Sequence, residues 1–187
     1  MKQILFTTLL LLISVSITAQ TVIDMADESI TNETKNGTYY VKDINNYMQP
    51  YLGTWKYINE NEEFRIILTK VEMFHVILPE ASIDYYKDGL KIQYQKYENN
   101  VLTYDSVIDS HPSGIIQEFG VLDITFTDYE RNNEIFSLEL TLISTGINEH
   151  NKLKFALDKF ESSNSYHDEH PNEPYFSVPN NIEMTKM

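Results

Sequence analysis

A two-residue period of apolar side chains runs through most of the chain after Gly53 and constrains the fold more than any other feature. Successive side chains of a β-strand point to opposite faces of the sheet, so this alternation indicates strands with one buried face. In the segment EFRIILT, the apolar positions are Phe64, Ile66 and Leu68. The pattern predicts an all-β protein.

Short polar turns join three pairs of these segments and predict antiparallel hairpins. The paired segments are residues 53–58 with 63–69, 90–97 with 101–107, and 120–129 with 134–144. Residues 151–158 and 180–187 predict two further strands, whereas residues 71–77 either continue the preceding strand or form a new one. We expect an antiparallel meander that closes into a lipocalin-like β-barrel of about eight to ten strands, or alternatively folds as a β-sandwich.

Residues 1–19 have the composition of a secretory signal peptide, with Lys2 before an apolar run that is too short to span a bilayer. Cleavage is expected after Ala19 or after Gln20, which predicts a secreted or periplasmic mature protein. The absence of cysteine excludes disulfides, a thiolate nucleophile and a lipid-acceptor cysteine. Because no other segment is long and apolar enough to cross a bilayer, stable membrane insertion is not expected.

The balance of 28 acidic against 14 basic residues gives the chain a formal net charge of −14. Such a charge repels nucleic-acid phosphates and anionic membrane surfaces. A nucleic-acid partner is therefore excluded from the expected functions.

The mature chain divides into two parts by composition. Residues 20–37 predict an irregular lead-in, and residues 38–187 predict a single β-barrel-like domain. At the start of this domain, Asp43 is placed to cap a short helical turn that Pro50 and Gly53 end. A polar, proline-broken stretch at residues 160–179 predicts a long loop before the last strand.

The motif Gly53-Thr54-Trp55, at the head of the first strand and after a short helical turn, resembles the start of lipocalin-like barrels. The resemblance implies that Trp55 closes one end of the barrel and that a basic residue on the last strand packs over it. Lys186 is the candidate for that basic residue.

Four segments together resemble an uncharacterised family of small secreted β-rich proteins from Gram-negative bacteria, a domain of unknown function. They are TAQ at residues 18–20, VKDINNYMQPYLGTWKY at 41–57, DYYKDGLKIQYQKYENN at 84–100, and FSVPNNIEMTKM at 176–187. The resemblance implies membership of that family but no activity.

Thirteen tyrosines and the predicted barrel favour a non-enzymatic protein that binds a small apolar or aromatic ligand. The predicted lining residues are Trp55, Tyr57, Ile66, Tyr94, Tyr104 and Phe126. The alternative is a filled core in a module that contacts a secreted or cell-surface protein or a glycan. That module would use the long loop, or Tyr85, Tyr86 and Tyr97 as one exposed patch.

The segment HDEH places His167 and His170 in the long loop, where imidazole and carboxylate groups could hold a divalent metal or could simply be solvated. Ser110, His111 and Ser113 lack the surroundings of a serine nucleophile. No nucleophile, base and orienting group converge in the sequence, so it predicts neither an enzyme nor a cofactor.

Overall fold

Alternating β-branched and aromatic residues form strands over most of the chain, because these side chains fit a pleated surface with one buried face. The computed structural model describes residues 20–27, 35–109, 111–118, 120–144, 151–159 and 165–187. Its strands are β1 (Thr21–Asp24), β2 (Lys35–Lys42), β3 (Gly53–Asn59), β4 (Glu62–Leu78), β5 (Ile83–Glu98), β6 (Val101–Asp105), β7 (Ile115–Glu118), β8 (Val121–Asp128), β9 (Glu134–Ile143), β10 (Lys152–Asp158) and β11 (Ile182–Lys186). The predicted signal peptide at residues 1–19 and Ser110 lie outside the described residues.

These strands form one mixed sheet in the order β1-β2-β5-β4-β3-β11-β10-β9-β8-β7, with β6 paired to β5. The pairs from β3 onward are antiparallel, as the hairpin turns predict. Strand β1 pairs with β2 in parallel, and β2 pairs with β5 in parallel. The all-β class is therefore confirmed, with a parallel addition at one edge of the antiparallel arrangement.

The sheet is not closed into a barrel, so the prediction of a closed lipocalin-like barrel is wrong. In the described chain between β5 and β8, β6 pairs with β5 and β7 pairs with β8. Ser113 also forms an isolated bridge with Leu90 on β5. The pairing along β5 is irregular there: the Tyr94 N–H donates to the Ser106 hydroxyl oxygen, the Ser106 N–H donates to the Tyr94 carbonyl oxygen, and Pro112 has no N–H to donate. The β-sandwich alternative is compatible with this arrangement.

The curved sheet packs its two halves face to face around one core. Phe64 on β4 contacts Phe155 on β10 with ring centroids 5.5 Å apart, and Tyr94 on β5 contacts Phe126 on β8 at 5.2 Å. The buried residues include most of those that the two-residue period predicts: Phe64, Ile66, Leu68, Leu90, Ile92, Tyr94, Leu122, Ile124, Phe126, Phe136, Leu138, Leu140, Leu153, Phe155, Leu157, Ile182 and Met184. The alternation therefore identifies the core face correctly on both halves.

The N-terminal lead-in is more regular than the sequence predicts. Residues 20–37 contain β1 and the beginning of β2, so the prediction of an irregular lead-in is wrong for these parts. Parallel pairing to β2 forms β1 although its four residues carry too little alternation to predict a strand. Residues 71–77 continue β4, which extends to Leu78.

The expected short helical turn is a 3-10 helix, Gln49–Tyr51. The Asp43 carboxylate accepts the backbone N–H of Tyr47 at 2.6 Å and of Met48 at 3.2 Å, just before this helix. In the predicted long loop, Ser165–Glu169 form the short helix α1. No helix among the described residues is long and apolar enough to cross a membrane.

Candidate ligand-binding cleft

A cleft of about 430 Å³ opens at the end of the sheet where the β3–β4 and β5–β6 turns lie. The third side of the cleft is the C-terminal segment 174–179, which we call the strap. The apolar and aromatic lining residues are Tyr57, Phe64, Tyr97, Pro174, Phe176, Val178 and Pro179. The cleft therefore joins three parts of the chain that are far apart in sequence.

The floor of the cleft is continuous with the core. Phe64 is 3% exposed and packs on Phe155. Phe176 of the strap packs edge-on against the buried Phe136, with ring centroids 4.9 Å apart. Because core aromatic rings hold these two walls, the apolar part of the cleft is preformed.

Buried Asp128 fixes the strap to the end of β8. Its carboxylate accepts the Ser177 backbone N–H at 2.8 Å and the Ser177 hydroxyl at 2.5 Å. It also accepts the N–H of Glu130 at 3.2 Å. Charged acceptors make the stronger hydrogen bonds, so Asp128 is the main polar anchor of the strap.

Two basic side chains also hold this part of the chain. Lys96 forms an ion pair with Glu130 and donates to the Ser177 carbonyl oxygen at 2.6 Å. Arg131 donates to the Glu173 carboxylate at 2.5 Å and to the Pro174 carbonyl oxygen at 3.2 Å. The hydrogen bond to Arg131 holds the pKa of Glu173 below its usual range. These contacts close the strap over the β8–β9 turn.

The predicted lining residues do not all meet at the cleft. Tyr57 lines it. Trp55, Ile66, Tyr94 and Phe126 are each at most 1% exposed and belong to the packed core. Half-buried Tyr104 stacks on Tyr94 with ring centroids 5.4 Å apart, and it does not line the cleft. The interior at the level of these rings is filled by side chains.

Trp55 lies away from the cleft, and its indole N–H donates to the Tyr51 carbonyl oxygen at 2.7 Å. The Lys186 ammonium lies 5.1 Å from the centre of the Trp55 ring and donates to the Pro50 carbonyl oxygen at 3.0 Å. The contact implied by the Gly-x-Trp resemblance is thus present between these two side chains. The 3-10 helix Gln49–Tyr51 and Lys186 cover Trp55 from two sides.

The two histidines predicted to bind metal each lie against a tyrosine ring. His167 lies against Tyr175, with ring centroids 4.7 Å apart. His170 stacks on Tyr166 at 4.1 Å, and its Nδ1 lies 3.0 Å from the Tyr166 carbonyl oxygen. Within the described part of the chain, no three histidine, aspartate or glutamate side chains are grouped to hold a metal ion. Among the described residues, His167 and His170 therefore do not belong to a group of three side chains that could hold the predicted metal ion.

A second cluster of charged groups joins β2, β4 and β5. Asp88 accepts from the Tyr40 hydroxyl at 2.5 Å, from the Asp43 N–H at 3.1 Å and from the Met73 N–H at 3.0 Å. Lys70 donates to Asp43 at 3.0 Å. Burial and the hydrogen bond to Asp88 raise the pKa of the Tyr40 hydroxyl well above its usual range. Because these donors satisfy the two carboxylates, the cluster stabilises the fold and does not offer a free reactive group.

The three tyrosines of the expected interaction patch are separated. Tyr85 and Tyr86 are neighbours on β5 and therefore point to opposite faces, and Tyr86 stacks on His75. Tyr97 lies about 36 Å further along the strand, at a rise of about 3.3 Å per residue, under the Arg65 guanidinium. The prediction that these tyrosines form one patch is wrong.

Tyr57 is the one predicted lining residue that the cleft contains, and Tyr97, Phe176 and Val178 are among the lining residues that sequence reasoning missed. Tyr97 lies at an expected outward strand position, where alternation gives no sign of a cleft. Phe176 and Val178 lie in a loop predicted from its polar composition. The apolar run YFSV between Pro174 and Pro179 is the signal in that loop that indicates a buried segment.

The model of a family of unknown function, DUF6705, matches residues 1–119, and this chain belongs to that family. The matched region ends after β7 and does not include the strap. No curated protein and no solved structure matches the chain.

Proposed function

We propose that this DUF6705 member binds a small molecule with an apolar or aromatic body in the cleft between the sheet end and the strap. The observation that carries the proposal is a cleft of about 430 Å³ with aromatic walls, anchored to the core. Small-molecule sites are typically concave, largely apolar and preformed, with volumes of about 300–1,000 Å³. The cleft is concave, its volume lies in this range and its aromatic walls are anchored to the core, while half of its lining residues are polar or charged.

The proposal moves the site from the interior of the sheet to its end. Tyr57 remains a lining residue from the sequence prediction, and Tyr97 and Phe176 supply further aromatic walls. Aromatic side chains bury a large area with few rotatable bonds, so they contribute most of the expected affinity.

Fluorescence titration with the neutral dye N-phenylnaphthylamine tests the site. We expect saturable binding to the wild type and about tenfold weaker binding to the Thr103→Trp variant, because the indole would occupy the cleft. The matched control is Val107→Trp, since Val107 is 63% exposed and does not line the cleft. Equal binding by all three folded proteins, or no binding by the wild type, would refute the proposal.

Secretion or export to the periplasm is part of the proposal and is supported by the composition of residues 1–19. A ligand site in an exported protein would meet molecules outside the cytoplasm. N-terminal sequencing of the protein recovered from the periplasm and the medium of its own host tests this. A chain that keeps residues 1–19 and stays in the cytoplasm would contradict it.

A second candidate function is a protein-interaction module, and a different observation favours it. The segment 101–115 exposes several large apolar side chains, each at least 46% exposed: Val101, Leu102, Val107, Ile108 and Ile115. Contiguous exposed apolar patches mark interaction surfaces, whereas single exposed apolar residues are ordinary, so this candidate requires these side chains to act together. Sedimentation over a concentration range, compared with a Val107→Ser, Ile108→Ser variant, tests whether this segment associates with another copy of the chain.

A further inference from the structure

Two glutamates face each other across the rim of the cleft. Glu62 on β4 and Glu98 on β5 are directly opposite in the antiparallel ladder, and both line the cleft. Both are exposed, and no described residue forms a hydrogen bond or an ion pair with either carboxylate. Like charges at opposite positions destabilise a sheet, so this pair costs stability where it stands.

The basic groups near the rim are already engaged. Lys96 lines the cleft, but its ammonium is paired with Glu130 and donates to the strap. Arg65 is paired with Glu63 and lies 4.1 Å from the centre of the Tyr97 ring. The charge that remains at the cleft is therefore the negative charge of Glu62 and Glu98.

We infer that the ligand carries a cationic group, an ammonium or amine, beside its aromatic or apolar body. The body would occupy the wall between Tyr97 and Phe176, and the cationic group would lie between the Glu62 and Glu98 carboxylates. Carboxylates attract organic cations, and Arg65 already occupies one face of Tyr97, so the contact with the ligand's cationic group comes from Glu62 and Glu98. This inference rests on the proposed ligand site and adds the charge class of the ligand.

Three fluorescent probes with the same dansyl body and different tails test the charge. They are cationic dansylcadaverine, its neutral N-acetyl derivative, and anionic dansyl aminohexanoate. We expect the wild type to bind the cationic probe about fivefold more tightly than the neutral probe, because exposed ion pairs contribute little each. The anionic probe should bind most weakly, and added salt should reduce the difference between cationic and neutral probes.

The variant Glu62→Gln, Glu98→Gln keeps the shape of the rim and removes both charges. It should bind the cationic and neutral probes with equal affinity. The control is Glu80→Gln, Glu169→Gln, which makes the same change in net charge at exposed positions outside the cleft and should keep the fivefold preference.

Equal affinities of the wild type for the cationic and neutral probes would overturn the inference. An equal loss of preference in the control variant would also overturn it, since the overall acidic charge would then be responsible. Binding of the neutral probe without a charge preference would leave the ligand site in place and refute only its charge class. Failure of every probe to bind would refute the ligand site itself.

Discussion

The anchoring of the strap by Asp128 can be tested with the isosteric substitution Asp128→Asn. Asp128 is fully buried, and its two oxygens accept three hydrogen bonds, two of them from Ser177. An asparagine amide would keep one acceptor oxygen and would turn an N–H group toward a donor. The charge that strengthens all three bonds would also be lost.

The expected loss follows from the bonds that break. A hydrogen bond to a charged acceptor contributes about 1.5–3 kcal/mol, and leaving a buried donor unpaired costs about 1–3 kcal/mol. Because part of the strap can still pack through Phe176, we expect a decrease of about 2–4 kcal/mol in the free energy of unfolding. Ser177→Ala keeps the backbone bond to Asp128, removes the hydroxyl contacts with Asp128 and Glu130, and should cost about 1 kcal/mol.

Urea unfolding followed by circular dichroism gives these free energies, and limited proteolysis reports release of the strap. Asp158→Asn is the matched control, because exposed Asp158 accepts its bond from the adjacent Lys159 N–H. The Asp128→Asn variant should also bind N-phenylnaphthylamine more weakly, since the strap forms one wall of the cleft. A variant within about 0.5 kcal/mol of the wild type, with unchanged proteolysis, would refute the role of Asp128.

Two further predictions concern other parts of the core. Lys186→Met should lower the free energy of unfolding by about 1–2 kcal/mol, because it removes the cation–π contact with Trp55 and the hydrogen bond to the Pro50 carbonyl oxygen. Urea unfolding measures this difference, and an unchanged free energy would contradict a stabilising role for the contact. Burial raises the pKa of the Asp109 carboxyl, so its contribution to stability is present below about pH 4 and is lost as the pH rises through the raised value. Asparagine does not titrate but still accepts the Tyr129 hydroxyl proton through its amide oxygen, so Asp109→Asn should not lose stability over this pH range. The same pH dependence of the free energy of unfolding in the wild type and the variant would contradict this prediction.

The sequence predicted the core well where each strand has one buried and one exposed face. The β8 and β9 segments alternate over their full length, and the period identifies Phe126 and Phe136 as core residues. The two-residue period places Leu102 on the same face as Tyr104 and so predicts that it is buried, but Leu102 is 46% exposed. A register shift between Lys96 and Tyr97 breaks the pairing of β5 with β6, so Leu102 leaves the core face while Tyr104 stacks on Tyr94.

Closure of the sheet could not be predicted from the strands, because it depends on the segment between β6 and β7. A meander has enough strands for a barrel, but each neighbouring pair must also exchange backbone hydrogen bonds along its length. Between these strands, Pro112 has no N–H, and the Ser106 hydroxyl replaces a backbone carbonyl as acceptor of the Tyr94 N–H, although the Ser106 N–H still donates to the Tyr94 carbonyl oxygen. These local substitutions interrupt the ladder although the alternation on either side is intact.

The cleft shows why a site is harder to predict than a fold. Its walls come from positions 57–64, 96–103 and 174–179, and no periodicity relates these segments to one another. The β4–β5 ladder brings the first two segments together, and the contact between Asp128 and Ser177, two residues 49 positions apart, holds the third. The family match ends at residue 119, before Asp128 and the strap. Because one wall of the cleft lies beyond the matched region, the match covers the Glu62–Glu98 rim but not the strap that completes the cleft.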